Sequence, residues 1–356
     1  MLRRVPGLGR VLKGVPRLGY EAGQLTPIGA LTAVLQSQGL HTSYDELMFL
    51  SGGAFRIGWS REWLAESAVA CSEDIVANAA ASQGFVAETP KYEDQDSAWA
   101  GIKASIDAGI PLLTSGMQSR TEWAVIIGYE EEPRRLVVRS YSDRTPEPRV
   151  RHFEEWEGWT YQGFGKFPLT SLRRVGKVAE ENRAVPEALE RAVRFALEGE
   201  FTFSGGSTGP HSFFSGAKAY SELIEAIPAI SDGVEAGGLG ERVHVLNLVF
   251  RAVIDARGAA MDYLEIVKRR GAKNQIYDAT VAVDRYGREV KALEGAIGEL
   301  PWAFDRLPVD AATEAVAVAG DKARRERCAA SIETAMEEEG KAVAALSRVL
   351  RLFVRF

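Results

Sequence analysis

From Pro186 to its carboxyl end the chain is patterned almost without interruption for helices, which confines that half to a bundle or helical array. The segments Pro186–Glu198, Ser212–Ile227, Glu241–Lys268, Asn274–Ile297 and Val309–Leu350 carry apolar residues at helical spacing. Stretches rich in Gly and Pro, notably Ser204–Pro210 and Glu235–Gly240, separate them. Helices joined in this way pack antiparallel. Along the last one, Val316, Val318, Ala329, Ile332, Ala335, Val343, Leu346 and Leu350 form a stripe. That stripe either packs within the chain or joins it to a second copy.

The first half reads differently. Helical patterns cover Thr26–Gln38, Tyr44–Leu50, Ser72–Gln83 and Ser97–Ala108, three of them closed by Gly39, Gly84 and Gly109. Pro27 suits a first helical turn, with Thr26 as N-cap. Ser51-Gly-Gly-Ala-Phe-Arg56 predicts a turn whose backbone approaches a neighbour closely. Strands are expected over Ile110–Thr114, Trp123–Tyr129 and Arg135–Tyr141, the last two joined as a hairpin through Glu130–Pro133. Arg144–Gly165, rich in Pro, Gly, Trp and Tyr, reads as irregular, and Phe167–Leu172 closes the half. Helices first and an antiparallel sheet afterwards is an α+β order. The expected division is an amino-terminal domain over 1–175 and an all-helical domain over 176–356.

The composition narrows the function classes. A length of 356 residues favours two units, and 46% apolar residues supply both cores. The net charge of −6 argues against a general binder of nucleic acid or anionic membrane, because both need concentrated positive charge. Arg134–Arg135 and Arg324–Arg327 are flanked or interrupted by acids and read as solvated faces. Cys71 and Cys328 are too few and too far apart for a disulfide framework. The four histidines lack ligand spacing, so no metal site is expected, and no motif calls for a cofactor. A reducing, cytoplasmic setting is the expectation. The basic start, Met1–Leu12, is interrupted by Pro6, Gly7 and Gly9 before any signal-length apolar stretch, and no run reaches membrane-spanning length.

A helix beginning close to a sheet, followed by a strand-turn-strand, is the layout of papain-like enzymes. There a helix N-terminus and a sheet-borne histidine keep a cysteine as thiolate. Five pieces occur here in order: Gly23–Leu31, Ser43–Met48, Ser51–Arg56, Ser105–Pro111 and Ile126–Tyr129. Together they resemble the amino-terminal domain of butirosin biosynthesis protein H and its relatives, a group related to C39-type cysteine peptidases. The resemblance covers about Val15 to Tyr141, and more faintly Phe213–Tyr220 and Leu246–Leu264. It implies a papain-like, C39-peptidase-like domain followed by the helical bundle, with acyltransferase or amide-hydrolase chemistry on a carrier-bound or peptide-like substrate.

That resemblance implies a cysteine opening the first helix, where Leu25 and Thr26 stand, and a histidine just before the Gly-Tyr strand, where Glu122 and Trp123 stand. Leu25 offers no nucleophile. Thr26 is either a nucleophile with Glu122 as its base or simply a helix cap. Asp143 is either an orienting third group or a turn residue. Cys71, just before Ser72-Glu-Asp, is either a relocated nucleophile at a helix start or a small core residue. Cys328 reads as structural. Trp59, Trp123, Tyr129 and Tyr141, with Trp156 and Trp159, either line a cleft for a small molecule or peptide or pack in a core. Gly205–Gly209 is either an anion site or a linker.

Three functions follow. The first is a catalytically degenerate cysteine-peptidase-like protein, kept as a binding or accessory module, in a biosynthetic pathway. The second is an active acyltransferase or amide hydrolase using Cys71 or Thr26. The third is a structural or assembly protein whose carboxyl-terminal helices form a homo-oligomer.

Overall fold

A computed structural model describes residues 2–4, 10–20, 23–117, 122–143, 145–154, 168–203, 210–270, 273–302 and 308–353. The expectations for Trp156, Trp159 and Gly205–Gly209 fall outside the described residues. The architecture is mixed helix and strand, with an antiparallel sheet followed by a helical region. Packing divides the chain into two compact units. One is built from Met1–Leu47 and Asp74–Glu180; the other gathers Met48–Glu73, Glu181–Phe203 and His211–Phe356. Met48–Glu73 therefore groups with the helices, not with the residues before it, a departure from a single cut near residue 175.

The sheet unit opens with β1 (Leu2–Arg4) and β2 (Arg10–Leu12), then α1 (Thr26–Ser37) and α2 (Tyr44–Ser51), whose first turns belong here. Next come α3 (Ile75–Ser82), β3 (Phe85–Glu88) and α4 (Gln95–Asp107). The remaining strands are β4 (Leu112–Ser115), β5 (Trp123–Glu130), β6 (Arg135–Ser140), β7 (Arg149–His152) and β8 (Leu169–Arg174). Asp74 and Asp94 cap α3 and α4, accepting the N–H of Ala77 and of Ser97. Each cap satisfies an orphan donor of a first turn.

All strand pairs are antiparallel. β5 is the hub. It pairs with β6 through Ala124–Glu130, with β4 through Trp123–Ile126, and with β2 at Gly128 and Tyr129. Residues Val125, Ile126 and Ile127 are all buried, so both faces of this strand are covered and its sequence is a continuous apolar run. Between them, α1 and α4 pack on β4 and β5.

The helical unit contains α5 (Glu181–Leu197), the hairpin of β9 (Glu200–Phe203) with β10 (His211–Phe214), α6 (Gly216–Ala226), α7 (Ala236–Arg270), α8 (Lys273–Glu299), α9 (Pro308–Ala319) and α10 (Lys322–Phe353). The expected helix Ser212–Ile227 starts later, because Ser212–Phe214 pair with Phe201–Thr202 and Glu200 as a strand. The expected helix Val309–Leu350 is two helices. Gly320 and Asp321 break it, and the Asp321 carboxylate accepts the N–H of Ala323 and Arg324 to start α10.

Three long helices enclose a charged group within this core. The Arg257 side chain is 0% exposed; its Nε donates to Glu289 at 3.1 Å and to Glu339 at 3.0 Å. Its Nη1 donates to the carbonyls of Ala54 and Arg56, at 2.8 and 3.3 Å. Tyr220 donates its hydroxyl to Glu289. Burial, together with the Glu339 charge, raises the Glu289 carboxyl well above the usual range against the pull of Arg257. In the same unit Gly52 takes the left-handed conformation (φ +85°), and a Cβ there would sit 2.8 Å from the Phe195 ring. The Ser51-Gly-Gly turn is thus a close backbone approach to α5.

Among the described residues no three His, Cys, Asp or Glu are placed to hold a metal ion, and no helix is long and apolar enough to cross a membrane.

Candidate functional site

The amino end of α1 is where the sequence places a nucleophile, so the site is built from there. Leu25 is the N-cap, with no side-chain cap, and Thr26 and Pro27 occupy the first helical turn. Thr26 is therefore not the cap. Its hydroxyl oxygen instead accepts the backbone N–H of Trp123, the first residue of β5, at 3.1 Å. The Leu25 N–H donates to the Tyr44 hydroxyl at 2.9 Å. These two bonds use backbone donors at the helix end and the strand end, and the first brings positions 26 and 123 together.

Glu122 lies beside them. Its carboxylate accepts from the Tyr20 hydroxyl and from the backbone N–H groups of Tyr141 and Ser142. Burial raises its pKa, with the Asp143 charge adding to the rise, while the three donors oppose it. Tyr20 is pushed up to about 12, first by burial and then by the Glu122 charge and hydrogen bond. The Tyr20 and Tyr141 rings lie 4.9 Å apart, and Tyr20 is an exposed aromatic face. Tyr141 reaches across to α1: a Cβ on Gly29 would fall 1.6 Å from its hydroxyl oxygen. Glycine at that helical position is what lets the ring seat.

Asp143, fully buried at its side chain, accepts the Ser140 N–H at 3.1 Å and the Ser140 hydroxyl at 2.9 Å. It also pairs with Arg149 at 3.3 Å. These bonds close the turn after β6, with the Asp143 N–H returned to the Ser140 carbonyl. The site thus holds a hydroxyl, a carboxyl of raised pKa and a structural aspartate. A thiol and an imidazole are absent from the positions where the resemblance implies them.

The other residues singled out by sequence lie elsewhere. Trp59 is 0% exposed in the core of the helical unit, edge-to-face with Trp63, its backbone paired to Phe214. Tyr129 is buried in the sheet unit against Trp99, and its hydroxyl donates to Asp107 at 2.8 Å. Of the four described aromatics expected to form a binding wall, Trp123 and Tyr141 adjoin the α1 site and Trp59 and Tyr129 do not. The residue missed by sequence is Tyr20, whose signal, a lone tyrosine six residues before the helix, is indistinguishable from a loop aromatic.

Cys71 belongs to the helical unit. It does not open a helix, because α3 starts at Ile75 behind the Asp74 cap. It is 7% exposed, and burial pushes its thiol up to about 11 despite the Glu73 N–H and the Arg56 charge. A thiol so placed is almost wholly protonated at neutral pH. At neutral pH it should react with a small disulfide reagent at least about 100-fold more slowly than free cysteine. Labelling at the free-cysteine rate would show a thiolate that this burial excludes.

No model of a known protein family and no curated protein matches the chain.

Proposed function

We propose that this protein is a papain-like module of the butirosin-biosynthesis-protein-H type that has lost its nucleophile and base, and that it serves a biosynthetic pathway as a binding or accessory protein. The observation that carries this reading is the bond from the Trp123 N–H to the Thr26 hydroxyl. It joins the helix end and strand end that the resemblance pairs for catalysis, at residues that are neither cysteine nor histidine. Glu122 is held by three donors, which orients it as a fixed acceptor and leaves it poorly suited to shuttling a proton. Tyr20 supplies an exposed aromatic face beside these polar groups.

An acyl-N-acetylcysteamine thioester, a minimal mimic of a carrier-bound acyl group, tests the reading. Saturable binding by equilibrium dialysis without hydrolysis or transfer, weakened by Tyr20→Ala, is the expected result. Turnover that Thr26→Val lowers about 100-fold would replace it with the active-enzyme reading, since that is the size of a lost nucleophile–base contribution. Neither binding nor turnover, with this probe and with a peptide amide, would remove the α1 site from consideration.

A further inference from the structure

One end of the helical unit is charged opposite to the chain as a whole. The antiparallel register of α8 and α10 is fixed by three ion pairs: Asp278 with Arg348 at 2.7 Å, Glu338 with Arg285 at 3.0 Å, and Glu299 with Arg327 at 2.9 Å. That register sets the last turn of α10 level with the first turn of α8, where α7 also ends. Among the described side chains of this end, Lys268, Arg269, Arg348 and Arg351 stand against two acids, Glu265 and Asp278, in a chain of net charge −6. Both acids are engaged by cations of the same end, Asp278 by Arg348 and Glu265 by Lys268 at 2.6 Å. Arg269 and Arg351 are exposed.

Apolar groups share this end. Tyr277 is 70% exposed, and Ile266 and Ile276 are exposed beside it in sequence and along the two helix ends. Large apolar side chains left in water amid cations are a costly surface unless something covers them. The two features together select an occupant. Cations attract a negatively charged plane, and a tyrosine with two isoleucines suits the boundary between headgroups and acyl chains.

We propose that this end of the helical unit, the junction of α7 and α8 with the last turn of α10, docks reversibly on an anionic phospholipid surface. Arg269 and Arg351 face the lipid phosphates, and Tyr277 with Ile266 and Ile276 enters the headgroup layer. Attachment of this kind is peripheral: a few cations and three apolar side chains give salt-sensitive partitioning, not insertion. It is independent of the α1 site, so failure of either reading leaves the other standing.

Co-sedimentation of the full chain with vesicles tests it. Binding to phosphatidylcholine vesicles containing phosphatidylserine, loss with phosphatidylcholine alone, and weakening by salt are expected. Arg269→Glu with Arg351→Glu should lower partitioning at least about tenfold, and Tyr277→Ser should lower it about fivefold or more. All three side chains are exposed, so the variants should keep the wild-type circular dichroism and melting temperature. No binding to phosphatidylserine vesicles, or binding that these variants leave unchanged, would overturn the proposal. Salt-sensitive binding to polyglutamate without binding to vesicles would also overturn it, in favour of an acidic protein partner. A dimer in solution that Tyr277→Ser dissolves would overturn it in favour of self-association.

Discussion

Replacing Arg257 by Met costs the helical unit about 3–5 kcal/mol, the range for removing one partner from a buried ion cluster. The guanidinium is wholly buried and lies between Glu289 on α8 and Glu339 on α10, while its other arm holds the carbonyls of Ala54 and Arg56. Without it, two carboxyl groups remain in a site with no cation to offset their desolvation. Glu289, already raised by burial, meets that cost by staying protonated, which makes the loss depend on pH. Burial holds the Glu289 pKa above its unfolded value, and losing the Arg257 charge raises it further, so at this group the folded form binds more protons than the unfolded one. The Glu289 contribution is then best retained below the unfolded carboxyl pKa of about 4.3, and falls as pH rises through its folded value. Urea titrations followed by helical circular dichroism should show a larger deficit at alkaline than at mildly acidic pH. Adding Glu289→Gln, which mimics the protonated form, should flatten that dependence. A deficit under about 1 kcal/mol, or one equal at both ends of the pH range, would mean that the cluster contributes no net electrostatic stabilisation.

Trp59→Ala is expected to cost about 3–5 kcal/mol, the range for emptying a large aromatic site in a core. The side chain is completely buried among residues of α6 and α7, and Trp63 stacks on its edge. The surrounding helices cannot close on so large a void. A ligand-wall residue behaves differently: its removal weakens binding while the melting temperature stays put. Thermal unfolding distinguishes the two, and a loss under about 1 kcal/mol would return Trp59 to the surface of a cleft.

The two variants mark where sequence and packing part company. The helices α1 and α4 and the hairpin of β5 and β6 follow from local signals. Glycines follow the helix ends, Asp94 caps α4, Pro27 opens the first turn of α1, and an apolar run with a polar turn makes the hairpin. The resemblance implies that positions 26 and 123 meet, and the bond between them gives Thr26 a third role, neither nucleophile nor helix cap. Tyr20 is invisible in sequence because its partner, Glu122, lies about a hundred residues away.

Cys71 shows how local reasoning misplaces a residue. Ser72-Glu-Asp reads as a helix start, but the Asp74 side chain is the acceptor that begins α3, which leaves Cys71 outside the helix and under other side chains. Ile75 and Val76, the first residues after that cap, are both buried.

By itself, then, the sequence determined the α+β order, the positions of most helices and the absence of thiol and imidazole from the α1 site, since each depends on neighbours within a few residues. Only the tertiary structure decided which charged residues are buried and which gather on a surface. Arg257, Glu289 and Glu339 each occupy a helix that bears many other charges, and nothing within a turn of any of them marks it as buried. The cations at the end of α7 and of α10 are separated by about eighty residues, so the local charge runs appear as ordinary solvated faces. Antiparallel packing on α8 brings the two helix ends level with one another. Electrostatic and hydrophobic energies depend on distance in space, and the net charge of −6 averages over the very separation that packing removes.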